Sequence, residues 1–451
     1  MKAILVVGAA VIAAVLVWVL VPEEAGNLPR KAGVIFVVAA ILWGTELIPL
    51  FATSLGVVVA CALLLAEEGG LATTGGITSA RFFTQFGSNV IMLFLGGLVI
   101  SAAATKHGLD KAIASRVLQP FIGRPLALIY AVLAITAFFS MWMSNTATAA
   151  MMLAILAPIL TQMQSWARFS TGLALAVPMG ANIGGIGTPV GTPPNAIALA
   201  ALRTAGFEVS FLNWMVMAVP LAVVLLLIVG GIIYLAYRPK GPTPANIPLA
   251  KEPLSVRGWG TLVVLVLAIV AWLTTGFHGV PDGLIGLTAA AVLAVSGLID
   301  RNDLRGIEWP VLVLMWGGLA LGVGAQDSGL VGLMNDLPLA ALQGFLLAGL
   351  VVAVSLVVST FISNTATAAL LVPIVLAFSL PERGQLVVLA ALACSFAMAM
   401  PVSTPPNALA FATGRISAQD LLKVGGLMSL IAIAVVMAGY PIMLPLAQIR
   451  E

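Results

Sequence analysis

The chain has 451 residues, of which 61% are hydrophobic and only 8% charged, with a mean hydropathy of +1.14. A soluble domain, at about 45–50% apolar and about 25% charged, cannot hide that much apolar surface. The net charge of +3 is therefore read as a record of membrane topology and not as a nucleic-acid signal.

In chain order, residues 1–22 (MKAILVVGAAVIAAVLVWVLVP) place one lysine before an apolar run that is long for a signal-peptide core. No small-x-small cleavage site follows, so an extra, retained first transmembrane helix is expected. Ten further spans of the roughly 30 Å hydrocarbon core are expected near 32–49, 51–66, 88–106, 170–202, 212–237, 258–275, 281–299, 310–326, 386–413 and 421–446. Two other apolar blocks, 125–160 and 340–379, are too long for one crossing, and each is interrupted in its middle by SNTATAA. The polar, Pro-rich stretch 238–257 divides the chain near its midpoint and reads as a cytoplasmic linker.

Several chemistries have little to work with. Cys61 and Cys394 lie in apolar surroundings with no CxxC spacing, as small buried hydrophobes do. His107 and His278 are far apart and near expected membrane edges, which disfavours a metal site or a histidine triad. An intramembrane enzyme would need a nucleophile with its base or a motif such as HExxH, and neither is present. Glu46 is expected at a helix end, Trp142 in packing, and the glycine pairs 96–97 and 317–318 in close helix contacts.

The chain repeats itself. GGLVISAAATKHGLD (96–110) pairs with GGLALGVGAQDSGLV (317–331) at an offset of 221, and Ser144-Asn145-Thr146 pairs with Ser363-Asn364-Thr365 at 219. GTPPNAIAL (191–199) pairs with STPPNALAF (403–411) at 212. Three motifs in one order at nearly constant offset define two repeats, 23–237 and 258–451.

Five full crossings separate the two GGL motifs, so the second copy is expected upside down. Lys106, Lys111, Arg116 and Arg124 follow the first motif, whereas Asp327 and Asp336 follow the second. Cytoplasmic loops collect Lys and Arg, which sets the first copy facing in, the N-terminus cytoplasmic and the C-terminus external. Inverted repeats with interrupted helices are the pattern of secondary transporters.

The motifs themselves suit helix breaks at membrane depth. If 125–160 dives in and returns, Ser144-Asn145-Thr146 forms the tip of a re-entrant hairpin and caps the returning helix. The block 340–379 is expected to do the same with Ser363-Asn364-Thr365. The helix 170–202 is expected to break at GIGTPVGTPP, where Gly184, Gly185, Gly187 and Gly191 loosen it. Thr192 then caps a new helix whose first turn holds Pro193 and Pro194. The helix 386–413 repeats this with Ser403, Thr404, Pro405, Pro406 and Asn407. Helix N-termini suit an anion, and freed carbonyls with Ser, Thr and Asn oxygens suit a hard cation such as Na⁺. No Lys or Arg is expected near the midplane and no carboxylate beside the motifs, so a dianion there would be best stabilised by cations bound with it.

At these residues the chain resembles the divalent anion–sodium symporter family, whose members carry dicarboxylates, citrate or sulfate. The resemblance rests on SMWMSNTATAAMML and GGIGTPVGTPPNAIA in the first half, SNTATAALLVP and PVSTPPNALAF in the second, and GTELIPLFATSL at 44–55. It implies a homodimer in a bacterial inner membrane, each subunit an all-α polytopic protein with a scaffold domain and a mobile transport domain that works as an elevator. Carried over by residue, Ser140, Ser144, Asn145 and Gly191 would form one Na⁺ site, and Ser359, Ile362, Asn364 and Ser403 a second. Asn145, Thr146, Thr192, Pro193, Asn364, Thr365, Thr404 and Pro405 would surround the substrate carboxylates. Na⁺ is then a co-transported ion and no organic cofactor is needed. A small C4-dicarboxylate is the expected substrate; citrate, sulfate, sodium-independent exchange and, from another class, an anion channel are the alternatives.

Overall fold

With no water inside a bilayer, a segment satisfies its backbone N–H and C=O groups only by winding into a helix or closing a barrel. The computed structural model takes the first route. It describes residues 2–69, 76–162, 166–239, 253–334, 344–378, 380 and 382–446. Of the expected features, linker residues 240–252, the start of the second long block (340–343), residue 379 and Asp336 lie outside these.

The principal helices are α1 Lys2–Leu20, α2 Asn27–Thr45, α3 Leu50–Leu64, α4 Asn89–Lys106, α5 Leu109–Leu118, α6 Pro125–Ser140, α7 Asn145–Gln162, α8 Ala167–Gly185 and α9 Pro193–Thr204. They continue with α10 Phe211–Tyr237, α11 Val256–Leu273, α12 Asp282–Val295, α13 Trp309–Asp327, α14 Gly344–Phe361, α15 Asn364–Ala377, α16 Arg383–Ser395, α17 Pro405–Ala412 and α18 Leu427–Leu446. Among the described residues nine helical segments are long and apolar enough to cross a membrane. Several others are shorter because the chain breaks where the motifs lie.

Those breaks follow from residue chemistry. Each long block divides into two helices packed on each other, α6 with α7 and α14 with α15. The returning helices start where a serine oxygen meets an orphan N–H: Ser144 Oγ accepts from Ala147 N (3.4 Å), and Ser363 Oγ from Ala366 N (3.2 Å). The helix 170–202 divides into α8 and α9, and 386–413 into α16 and α17, each second piece opening on Pro-Pro. Proline fits there because its missing N–H would have been unpaired anyway.

The same order of elements thus occurs twice, and the two runs interlock. Helix α4 packs on α12 from the other half, and α13 packs on α3. The glycine pairs explain how closely. A Cβ on Gly96 would lie 2.4 Å from the Gly286 backbone, and one on Gly317 would lie 2.4 Å from Ser54 Cβ. The expectation of close packing holds for these two glycines. It fails for Gly318, beside which a Cβ would meet nothing within 4 Å. Helix α1 rests on α2 and is otherwise exposed along its length, with Ile4 and Leu20 about three-quarters exposed (77% and 74%), as suits a helix surrounded by lipid.

Candidate functional site at the meeting of two hairpin tips

Both hairpin tips and both Pro-Pro helix starts border one cavity of about 180 Å³, room for on the order of ten water-sized spheres. Asn145, Thr146, Thr192, Pro193, Asn364, Thr365, Thr404 and Pro405 all line it. Residues more than two hundred positions apart are brought together by the interlock of the halves. Of the residues carried over for Na⁺, Ser144, Asn145, Gly191, Asn364 and Ser403 also line the cavity. Ser140, Ser359 and Ile362 are not among its lining.

Ser140 and Ser359 stand behind the tips, fully buried, and make matching bonds. Ser140 Oγ lies 2.8 Å from the Ala181 carbonyl and 2.5 Å from Asn145 Oδ1. Ser359 Oγ lies 2.9 Å from the Cys394 carbonyl and 2.9 Å from Asn364 Oδ1. Each serine ties its hairpin to the helix before the break and aims the tip asparagine. One hydroxyl proton serves two acceptors, and the hydroxyl oxygen keeps lone pairs for a cation. Around Gly191 the packing is tight: a Cβ there would lie 2.4 Å from the Gly185 carbonyl oxygen and 2.9 Å from that of Ser140. Oxygen atoms without carboxylates gather at this point, a donor set that fits Na⁺. No cluster of three His, Cys, Asp or Glu side chains that could hold a metal occurs among the described residues.

The break loops are pinned by asparagines. Asn195 Nδ2 donates to the carbonyls of Gly185, Ile186 and Thr188 (3.1, 3.2 and 2.8 Å), and Asn407 Nδ2 to those of Met398 and Met400 (3.0 and 2.9 Å). These bonds explain why the Pro-Pro motif ends in Asn: its amide gathers carbonyls that the broken helix leaves unpaired. Asn182 adds a link across the halves, its Nδ2 lying 3.2 Å from both Thr404 Oγ1 and Asn407 Oδ1. Sequence reading missed Asn182, because no asparagine stands at the corresponding place in the second half and repetition could not mark it.

Three expectations need correction. Thr192 holds the N-cap position of α9, but its side chain makes no capping bond; Thr404 does cap α17, accepting from Asn407 N at 3.3 Å. The glycines before the first break serve close approach and not looseness. A Cβ on Gly184 would lie 2.3 Å from Ala137 Cα, and one on Gly185 2.5 Å from Asn145 Oδ1. The change from Gly191 to Ser403 is compensated. Ser403 Oγ donates to the Thr360 carbonyl (2.9 Å), and in the first half Thr188 Oγ1 donates to the equivalent Met141 carbonyl.

The third correction concerns charge. A carboxylate does lie beside a motif: Glu308 Oε1 accepts from Ser144 Oγ at 2.8 Å, and Glu308 lines the cavity. Among the described lining residues it alone is charged, so the expected lack of Lys and Arg does hold there. Trp142 packs as expected, in a stack with Phe211 and Trp272 at interplanar angles of 2–12°, and also forms part of the cavity wall. His107 is half-buried, with Nε2 2.7 Å from the Leu298 carbonyl.

A hydrophobic helical bundle with a cavity bordered by hydroxyls and amides at the junction of broken helices is the architecture of a membrane transporter. The chain belongs to the citrate transporter family (CitMHS), which it matches over residues 38–393, and the resemblance drawn from its motifs holds. It is 33% identical over 423 residues to an uncharacterized transporter of Haemophilus influenzae, covering 88% of each chain. It is 32% identical to the sodium-dependent dicarboxylate transporter SdcS of Staphylococcus saprophyticus, covering 91% of this chain and 86% of that one. Two solved structures share the fold: the YdaH transporter of Alcanivorax borkumensis (TM-score 0.60, 16% identity, 85% and 89% covered) and MtrF of Neisseria gonorrhoeae (TM-score 0.55, 12% identity, 89% and 96% covered). The protein is an integral-membrane secondary transporter of this family.

Proposed function

We propose that the chain is a sodium-coupled symporter of a small dianion, a C4-dicarboxylate such as succinate, malate or fumarate. The observation that carries this reading is the cavity bounded by both SNT tips and both Pro-Pro helix starts, without a Lys or Arg among its described lining residues. Four helix N-termini and the surrounding hydroxyls and amides offer donors to two carboxylates. Those partial charges do not neutralise a dianion. Na⁺ ions held near Ser140, Ser144, Asn145 and Gly191, and near Ser359, Ile362, Asn364 and Ser403, would supply the missing positive charge. Substrate and cation then bind together, which is coupling. Asn145, Thr146, Thr192, Pro193, Asn364, Thr365, Thr404 and Pro405 are the proposed substrate contacts. The Staphylococcus relative named as a sodium-dependent dicarboxylate transporter supports the same assignment.

Alternating access follows from two halves of opposite orientation in the membrane, 23–237 and 258–451, joined by the linker 238–257. The positive residues after α4 support a cytoplasmic position for that end, with the N-terminus cytoplasmic and the C-terminus external, in a bacterial inner membrane. The hairpins and broken helices form a transport domain that moves as an elevator within a homodimer of scaffold domains. Uptake of labelled succinate into proteoliposomes tests the proposal. Concentrative uptake that requires an inward Na⁺ gradient is expected. Uptake only into succinate-loaded vesicles, indifferent to Na⁺, would establish an exchanger instead, and non-saturating flux a channel.

A further inference from the structure

The two hairpin tips are not electrically equivalent. Ser144 starts the returning helix of the first hairpin and donates to the Glu308 carboxylate (2.8 Å). Ser363, its counterpart, caps its own helix through Ala366 N, and no carboxylate bond to Ser363 occurs among the described residues. The place of Glu308 in the first half, taken at the offset of the GG pairs, belongs to Gly87. Of the four helix N-termini that border the cavity, the first hairpin's therefore already holds an anion, and that anion belongs to the protein.

The surroundings of Glu308 make its charge count. Glu308 forms no ion pair among the described residues. Ser144 and Glu308 also line a neighbouring recess with Ser101, Thr105, Lys106 and Asp303. The cation in that recess is engaged elsewhere: Lys106 Nζ lies 2.7 Å from Asp300 Oδ2 and 2.5 Å from Asp303 Oδ2. A ligand group extending from the cavity past the first hairpin tip thus meets a fixed negative charge and a cation already paired with two carboxylates. Like charges at such short range in a partly dehydrated site repel strongly, and salt screens them little.

We propose that Glu308 occupies the position a third substrate carboxylate would take, and so restricts the cavity to dianions against trianions. The inference rests on the carboxylate reading of the site given above and deepens it. It separates a tricarboxylate such as citrate from a dicarboxylate by a named residue. Selection works through repulsion of the wrong ligand and not through a better contact with the right one. Ser144 is the positioning residue that keeps the carboxylate at the tip.

The test uses a matched pair of probes, glutarate and tricarballylate, which share a three-carbon chain with terminal carboxylates and differ by one central carboxylate. Binding of each to the purified full chain in Na⁺ is measured by calorimetry at a pH where every carboxylate is ionised. Wild-type protein is expected to prefer glutarate by roughly tenfold or more. Glu308→Gln and Glu308→Ser are each expected to lower that preference at least about tenfold, while Glu308→Asp, which keeps the charge, retains most of it. Two variants of different size guard against a fault in folding. An equal preference in wild type, Glu308→Gln and Glu308→Ser would overturn the proposal while leaving the carboxylate reading intact, as would a wild type that binds tricarballylate as tightly as glutarate. Failure of wild type to bind succinate in Na⁺, run as the control, would overturn the carboxylate reading, and this proposal with it.

Discussion

Ser140 Oγ lies 2.5 Å from Asn145 Oδ1 across the tip of the first hairpin. Ser359 and Asn364 stand in the same relation at 2.9 Å in the second. Each serine is fully buried and also bonds the carbonyl of the helix preceding the break, so a single hydroxyl fixes three chain segments. Ser140→Ala and Ser359→Ala should each cost on the order of 1–2 kcal/mol of stability. Each should also raise the Na⁺ concentration for half-maximal uptake by roughly tenfold, with a smaller change in substrate KM at saturating Na⁺. Uptake titrated against Na⁺ and against substrate separately checks both statements.

Asn182 is a joint between the halves, through Thr404 and Asn407. Asn182→Ala leaves the buried Asn407 side-chain oxygen without its donor and should cost about 1–3 kcal/mol. Because the second break loop hangs from Asn407, transport should fall more steeply than the thermal midpoint. Uptake per mole of correctly folded protein, set beside thermal unfolding in detergent, separates the two effects.

The glycine pairs should split. Gly96→Ala drives a methyl group into the Gly286 backbone, and Gly317→Ala does the same to Ser54. Overpacking of this kind costs about 1–3 kcal/mol. Gly318→Ala, with open space at its Cβ, should stay within about 0.5 kcal/mol of wild type apart from its helix-propensity gain. Thermal melts of the three variants measure this.

Arg203 and Asp282 join the end of α9 to the start of α12, with Nη2 2.5 Å from Oδ2 and the aspartate side chain 3% exposed. Asp282 also receives Thr275 Oγ1 at 3.1 Å, and its backbone carbonyl receives Trp272 Nε1 at 3.0 Å, the tryptophan stacked near the first hairpin tip. Asp282→Ala strands a guanidinium that is mostly buried and should destabilise by on the order of 3 kcal/mol. The double variant Arg203→Met, Asp282→Leu should recover much of that loss, which a double-mutant cycle on thermal stability would reveal.

A pH effect is expected in acid. The hydrogen bond from Lys106 holds the Asp300 carboxyl below the usual aspartate range, helped by the backbone N–H groups of Asn302 and Asp303. A lowered carboxyl contributes stability that is fully present above the ordinary value of about 3.9 and is lost as pH falls through the folded value. This contact therefore predicts no change in stability between about pH 5 and 8, and a loss below about pH 4 that Asp300→Asn does not show. Thermal midpoints of the two proteins across pH check it.

What the sequence discloses about this site is what occurs twice. SNT and TPP stand out because a helix that breaks within lipid needs caps and prolines, and both halves meet that need with the same residues. Residues that serve one half alone stay hidden. Glu308 has Gly87 opposite it in the repeat and Asn182 has no asparagine opposite, so no comparison between halves marks either. Thr188 and Ser403 do the same task from different loop positions, which a residue-by-residue comparison, setting Ser403 against Gly191, does not pair. Whether a glycine loosens a helix or admits a neighbour depends on what lies across from it, and only the fold supplies Ala137 opposite Gly184. The helices themselves were legible almost throughout, because a chain this apolar in a membrane has few other ways to pair its backbone.

The most direct measurement is calorimetric titration of succinate into purified protein, in Na⁺ and in choline, for wild type, Asn145→Ala and Asn364→Ala. The account predicts binding in Na⁺ that weakens at least about tenfold in choline, and as much in either asparagine variant even with Na⁺ present. Succinate bound equally well in choline, or unaffected by loss of both asparagines, would contradict a cation-dependent dianion site at the meeting of the two hairpin tips.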